Sequence, residues 1–343
     1  MSKRILLRTL TLVGLTTSLF GADPLAHPET TGQQYTYLTP ISKYNNERFS
    51  QQIYNAVRPW IKPCTTFEPG SFIQPWFQIE KGVNTSNNDH KMNGVKNDTL
   101  DFVLGAHIPF ENSTLIGIAL AYDDGNIHFK NGGGSSTLKV WQGALYAAAS
   151  QPEFYAFGDA IFAGSNGHSR RRIQYDLVNE TATSSPSAHH GMVYAEFGLN
   201  NYSFNALIQP FIAFEFGWNR CNSITESGTG SLDLQVSDKT TKIFDIYLGS
   251  HFTTLLGKTV SISADLAWHH RYGTNTFNIQ TRFLSGGPCA FVKGTEIGKD
   301  AIEGAVTIST TLCNQFTLFA ELAGERWSNF SAISLDLGVS LLW

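Results

Sequence analysis

The sequence predicts an all-β protein: a transmembrane, antiparallel, up-and-down β-barrel of about 12 strands with a short N-terminal helix that can lie in the lumen. Three observations predict it. Residues 332–343 place Ile333, Leu335, Leu337, Val339, Leu341 and Trp343 on one face and Ala332, Ser334, Asp336, Gly338 and Ser340 on the other. That period of two is a strand with one apolar face, ending on an aromatic residue. The connections between predicted strands alternate long and short, as in barrels with surface loops and periplasmic turns. The 343 residues are 15% charged and 13% aromatic, against about 25% charged in an average soluble domain. A mean hydropathy of -0.13 fits alternation, in which each lipid-facing residue is followed by a lumen-facing one.

The elements follow in order. Lys3, Arg4 and Arg8 accompany an apolar run from Ile5 to Phe20, then Gly21 and Ala22. Residues 1–22 are read as a secretory signal peptide, because the run is shorter than the ~20 residues a membrane-spanning helix needs. Residues 23–69 form a short N-terminal segment. Within it, 46–57 reads as a helix capped by Asn45 or Asn46, with Glu47 in its first turn and Pro59 ending it. Phe49, Ile53 and Val57 recur at i, i+4 and i+8 on one face, which suits a linker or plug helix.

Residues 70–343 are read as the barrel. Its strands are expected at 70–82, 97–108, 114–122, 137–150, 154–164, 188–200, 204–219, 240–252, 258–272, 300–311, 315–325 and 332–343. In the seventh, Phe204, Ala206, Ile208, Pro210, Ile212, Phe214, Phe216 and Trp218 share a face. In the ninth, Val260, Ile262, Ala264, Leu266 and Trp268 oppose Ser261, Ser263, Asp265, His269 and Arg271. The connections 83–96, 123–136, 165–187, 220–239 and 273–299 are long, polar and expected to be flexible. Those at 109–113, 151–153, 201–203, 253–257 and 312–314 are short. Trp76, Trp141, Trp218, Trp268, Trp327 and Trp343 fall near strand ends, as interfacial girdles or lumen packing require.

Alternation points Asp101, His107, Glu196, Glu215, Asp265, His269, Arg271, Glu321 and Asp336 inward. These are the expected lumen-lining residues, because charge on the lipid face is costly. Arg271 is expected to pair with one of the acids and help seat the helix. Leu337, Val339, Leu341 and Trp343 are the expected membrane-assembly signal.

Other chemistry is not expected. Ser263, Asp265 and His269 share one face, but residues four apart on a strand are ~13 Å apart. The sequence has no G-x-S-x-G elbow. His189-His190 and His269-His270 point to opposite faces, so neither pair suits a metal. Arg170-Arg171-Arg172 reads as a solvated charge run that can also meet phosphates. Of Cys64, Cys221, Cys289 and Cys313, no two have C-x-x-C spacing, and a Cys221–Cys289 bond is feasible. Net charge of -4 argues against a nucleic-acid partner. No enzyme, metal or cofactor is expected.

Trp268-His269-His270-Arg271-Tyr272-Gly273, then Phe277, Phe283, Phe291, Gly294, Lys299-Asp300-Ala301 and Leu318-Phe319-Ala320-Glu321 resemble the autotransporter β-domain, the twelve-stranded translocator of type V secretion. The aromatic-terminated last strand completes the resemblance, which covers roughly 60–343. Barrels of the chlamydial polymorphic membrane proteins are similar too. The resemblance implies a bacterial outer-membrane barrel whose pore is crossed by a helical linker. It implies as partners outer-membrane lipid and lipopolysaccharide, the barrel-assembly machinery, and periplasmic chaperones. The chain departs from the family in residues 23–69, which are short and lack the repeats of a β-helical passenger. The expected function is therefore to anchor or translocate the N-terminal segment and display surface loops. The alternatives are a small porin-like channel, and an adhesin acting through 165–187, 220–239 and 273–299.

Overall fold

A computed structural model describes residues 32–61, 73–86, 94–110, 113–130, 133–175, 177–203, 205–257, 259–274, 276–294, 296–312 and 316–341. The expected signal peptide, Cys64, Cys313 and Trp343 lie outside these residues. A 3-10 turn, Gln33–Tyr37, leads into one helix, α1, Leu38–Ile61. The strands are β1 Gln74–Ser86, β2 Val95–Phe110, β3 Thr114–Phe129, β4 Gly134–Ser150, β5 Phe154–Tyr175, β6 Val178–Ser184, β7 Ser187–Leu199, β8 Asn201–Ser203 and β9 Ala206–Cys221. They continue as β10 Ile224–Thr225, β11 Leu234–Val236, β12 Lys239–Leu256, β13 Val260–Tyr272, β14 Ile279–Phe283, β15 Ala290–Val292, β16 Asp300–Leu312, β17 Phe316–Trp327 and β18 Phe330–Leu341.

Twelve of these close a barrel in the order β1-β2-β3-β4-β5-β7-β9-β12-β13-β16-β17-β18, each antiparallel to its neighbours. The ring shuts where β18 pairs with β1, Trp76 opposite Ser340 through to Ser86 opposite Phe330. Closure gives both edge strands a partner, so the ladder leaves no open edge in lipid. All twelve expected strands are present. Leu104, Ile116, Ile118, Leu120, Leu145, Phe162 and Phe197 are outward and more than half exposed, which is the apolar band a bilayer covers.

The expected loop asymmetry resolves into longer strands. β3 runs to Phe129 rather than 122, and β4 starts at Gly134, so most of 123–136 is hairpin. β5 reaches Tyr175 and folds back on β6. Segments 220–239 and 273–299 are ordered as a four-stranded sheet, β10-β11-β14-β15. Its inner face packs Ile224, Val236, Ile279 and Val292 on Tyr35 and Leu38. The expectation of flexible loops is thus corrected. Their strands are only two to five residues long, too short for alternation to register.

The helix is also longer than expected. It begins at Leu38, so Asn45 and Asn46 lie inside it, and Pro59 lies within it rather than after it. Pro40 is tolerated because a first-turn residue has no backbone acceptor to lose. At ~1.5 Å per residue, its 24 residues span roughly 36 Å, about the depth of a bilayer.

Candidate functional site: the helix-filled lumen

The helix lies inside the barrel. Phe49, Ile53 and Val57 are buried at 1%, 0% and 0% exposure and pack with Ala119, Ala144, Tyr146, Ile161 and Ala213 of the wall. This apolar face leans toward β2–β5, β7 and β9, whose inward residues mix alanines with Tyr146, Tyr155, Phe157 and Ile161. The Ser150 hydroxyl donates to the carbonyl of Ile61 at 2.9 Å, fixing the C-terminal end beside the short turns. The N-terminal end lies at the opposite mouth. There Tyr37 packs on Phe129 at 6.2 Å, beneath the small sheet. Residues 32–37 therefore lie on the long-connection side.

Polar contacts hold the remaining faces. Lys43 Nζ lies 2.9 Å from both Glu215 and Asp245, and also meets Glu47. Arg48 Nε donates to Glu80 at 2.6 Å, and Gln52 donates to the other oxygen of that carboxylate at 2.8 Å. Ser50 donates to Asp159 at 2.5 Å. Arg58 donates to Asp265 at 3.0 Å and to Thr307 at 3.2 Å. Asn46 Oδ1 accepts from Gln142 at 3.0 Å and lies 2.9 Å from His190 Nδ1. Three cations of the helix thus each meet a carboxylate of the wall.

Each expected lumen residue has a definite place. Glu196 accepts from Tyr155 and Tyr194 at 2.7 and 2.6 Å and lies 3.1 Å from His251. His251 also lies 2.7 Å from Asp265. Glu215 accepts from Tyr247 at 2.7 Å. His107 lies 3.2 Å from the Tyr146 hydroxyl. His269 Nε2 is 2.9 Å from Asp245, and its ring stacks on Tyr247. Glu321 accepts from Thr307 at 2.8 Å. Arg271 pairs at 3.1 Å with Asp245, an acid outside the expected set, and lies over the Trp327 ring. It reaches the helix through Asp245, which Lys43 shares.

Asp101, Glu321 and Asp336 belong to a larger feature. Asp123, Asp101, Glu80, Asp336 and Glu321 face one another in a single cross-strand row over β3, β2, β1, β18 and β17. All five are buried. Glu80 follows the period of β1 and was readable from sequence. Asp123 lies one residue past the expected end of its strand. Asp159 and Asp245 were readable from the inward register of β5 and β12. Glu303 and Glu325 stand opposite each other on β16 and β17. They line a remaining space of about 110 Å³ between helix and wall.

Other expectations change. Trp76 and Trp327 are buried in the lumen, while Trp141 and Trp268 face outward. Trp76 fits because Gly105 faces it: a Cβ there would fall 2.2 Å from the indole. Ser263, Asp265 and His269 are not brought together; Ser263 lies 2.9 Å from Thr253, and Asp265 meets Arg58 and His251. Glu47, Asp245 and His269 offer three ligand atoms within 4.8 Å, but the Lys43 ammonium already supplies positive charge there. Arg171 is not solvated: it is fully buried and bidentate to Glu226 at 2.8 and 2.5 Å. Glu226 also accepts from the Tyr35 hydroxyl at 2.7 Å. Burial and the Glu226 charge push the Tyr35 phenol up. Cys221 and Cys289 are free, not bonded to each other. Leu337 and Val339 face outward on the closing strand, and Leu341 ends it.

Comparison with known proteins agrees with this architecture. The model of the family described as autotransporter beta-domain matches residues 75–323. The translocator domain of autotransporter NalP from Neisseria meningitidis superposes with a TM-score of 0.70 at 11% identity, over 90% of this chain and 99% of that one. The beta domain of the Bordetella autotransporter BrkA gives 0.59 at 14% identity, over 79% and 99%. The Pseudomonas putida toluene transporter TodX gives 0.50 at 10% identity, over 80% and 90%. These likenesses show the fold. A comparison with curated protein sequences returns no match.

Proposed function

The chain belongs to the autotransporter β-domain family, and we propose that it is a bacterial outer-membrane barrel that carries its own N-terminal segment through the lumen and holds it there. One observation carries this reading. The helix runs from the long-connection mouth at Leu38 to the short-turn mouth at Ile61, with its three cations on wall carboxylates. A translocator that has finished export has this topology: the linker crosses the pore and whatever precedes it lies outside.

Residues 1–22 would be removed after export and 23–37 would form the outer end of the segment. The apolar outer band supports outer-membrane lipid as the surrounding medium, with lipopolysaccharide beside the long-connection mouth. β18, which joins both β17 and β1, is the strand on which barrel closure depends. This supports Leu337, Val339, Leu341 and Trp343 as the signal for the barrel-assembly machinery, with periplasmic chaperones acting before it. The lumen groups act by holding the helix rather than by catalysis. A porin-like role is less well supported, because the helix occupies the lumen and the space beside it is about 110 Å³.

The test is surface labelling of an epitope inserted near Glu29 in intact cells, with permeabilised cells as control. The proposal expects a tag reachable from outside. A tag reachable only after permeabilisation overturns it.

A further inference from the structure

The outward face of the barrel changes character along its height. Trp141 on β4, 66% exposed, stands opposite Tyr122 on β3, with the two rings 4.8 Å apart. Tryptophan and tyrosine gather where acyl chains give way to headgroups. The apolar residues Leu104, Leu120, Leu145 and Phe162 lie on the short-turn side of this pair. On its other side, three outward cross-strand rows follow over β2–β5. They are Leu100–Asp124–Lys139–Asn166, Asp98–Asn126–Thr137–His168 and Lys96–His128–Ser135–Arg170. Arg172 points the same way two residues further along β5.

These rows form a cationic rim around a shallow polar floor. Asn126, Ser135, Thr137 and Asn166 are short, so the longer side chains stand above them. Lys96, Lys139, Arg170 and Arg172 are exposed and outnumber the two acids of the rows. Lys96 meets Asp98 at 3.1 Å, and Asp124 faces Lys139 across the strands. Arg170 and Arg172 make no ion pair with another described residue. The charge is local to this sector. Continued the other way round the wall, the row of Lys96 runs through Thr85, Ser331, Arg326 and Ile302 and holds one cation. Near the short turns the outward face ends instead in exposed Phe110 and Phe154.

We propose that the outward face of β2–β5 docks one lipopolysaccharide molecule of the outer leaflet. Height sets the contacts. At ~3.4 Å per residue, Lys139 lies about 7 Å along the strand beyond Trp141, and Arg170 lies about 20 Å beyond Gly164, the residue facing that tryptophan. The acyl chains cover the apolar band, a lipid A phosphate meets Lys139, and the anionic inner-core sugars meet Lys96, Arg170 and Arg172. Guanidinium groups suit such oxyanions because they can bind them bidentately. A glycerophospholipid has a single phosphate and would fill one row, whereas lipopolysaccharide carries negative groups over the whole height of the patch. The inference rests on the outer-membrane reading with the long connections outside.

The test is native mass spectrometry of the full chain, refolded in detergent and mixed with equal amounts of deep-rough lipopolysaccharide and phosphatidylglycerol. One lipopolysaccharide per barrel, retained in preference to the phospholipid, is expected. The triple variant Lys139→Gln, Arg170→Gln, Arg172→Gln should fold, because all three side chains are exposed. It should bind lipopolysaccharide about a hundredfold more weakly, at roughly 1 kcal/mol per basic residue near an anionic surface and tenfold per 1.4 kcal/mol. Arg326→Gln, on β17, should leave binding unchanged. Equal retention of the two lipids would mean general attraction to anions and overturns the proposal. So does displacement by equimolar inorganic phosphate, which would mean a free-anion site. Undiminished binding in the triple variant, or an equal loss in Arg326→Gln, overturns it too. Binding in detergent is independent of the position of the N-terminus. An epitope at Glu29 exposed on cells, with no preference for lipopolysaccharide, therefore removes this docking surface and leaves the translocator reading standing.

Discussion

Lys43 Nζ on the helix lies 2.9 Å from Asp245 on the wall, and the same carboxylate holds Arg271 at 3.1 Å. One buried acid thus fixes both a linker cation and a wall cation. Asp245 is 0% and Lys43 8% exposed, so the pair is shielded from bulk water. Removing one partner of a buried pair costs about 3–5 kcal/mol, because the other charge is left without an answer. Lys43→Met should lower the stability of the refolded barrel by about that much, read from urea unfolding. Replacing Asp245 as well by a neutral residue should cost more than Lys43→Met alone, because it also strips the buried Arg271 of its carboxylate.

The apolar face of the helix gives a second prediction. Ile53 is fully buried in the apolar cluster between helix and wall. Truncating a buried Ile to Ala costs about 2–5 kcal/mol. Ile53→Ala should loosen the helix in the lumen. Hydrogen exchange of the backbone over 49–57 should speed up, while exchange in the barrel strands stays slow.

The wall is acidic and the helix is cationic. Glu80, Asp101, Asp123, Asp159, Glu196, Glu215, Asp245, Asp265, Glu321 and Asp336 are inward. Arg271 and, nearer the outer mouth, Arg171 are the buried arginine and lysine side chains of the strands among the described residues. A charged ring favours ions of the opposite sign. A barrel lacking residues 32–61 should therefore conduct in planar bilayers with strong preference for K⁺ over Cl⁻, seen in the reversal potential under a salt gradient. The intact chain should conduct far less.

At the outer mouth, Arg171 and Glu226 join β5 to the small sheet, and Tyr35 ties the emerging chain to the same carboxylate. Arg171→Ala leaves Glu226 buried without its guanidinium, again about 3–5 kcal/mol. Loss of that pair should open the small sheet. Limited proteolysis should cut within 222–238 in the variant and not in the parent.

Much of this was legible in the sequence, for a physical reason. A membrane barrel must alternate, so β9 from Ile208 to Trp218 and β13 from Val260 to Trp268 announce both their strands and their inward residues. Phe49, Ile53 and Val57 announced the helix. Its first two turns, 38–45, did not show, because Pro40 reads as a helix breaker and Thr39, Ser42, Lys43 and Asn45 are polar, although Leu38, Ile41 and Tyr44 are buried there. The small sheet was hidden because β10 pairs with β11 and β11 is held by pairing with β14, over forty residues away in the chain. The carboxylate row was half visible: Asp101, Glu321 and Asp336 follow from period two, but their alignment depends on register between strands, which no single strand encodes. Arg171 was misread because a charge run in a connection looks the same whether it meets water or Glu226.

The central claim is that the helix crosses the lumen with Ser50 beside Asp159 on β5. Ser50→Cys with Asp159→Cys, in a chain whose four natural cysteines are replaced by serine, tests it in the assembled protein. A short thiol cross-linker added to isolated outer membranes should join the two positions in nearly every molecule, shifting mobility on a denaturing gel. Free thiols at both positions, reacting independently with a bulky maleimide, would place the helix outside the barrel and contradict the account.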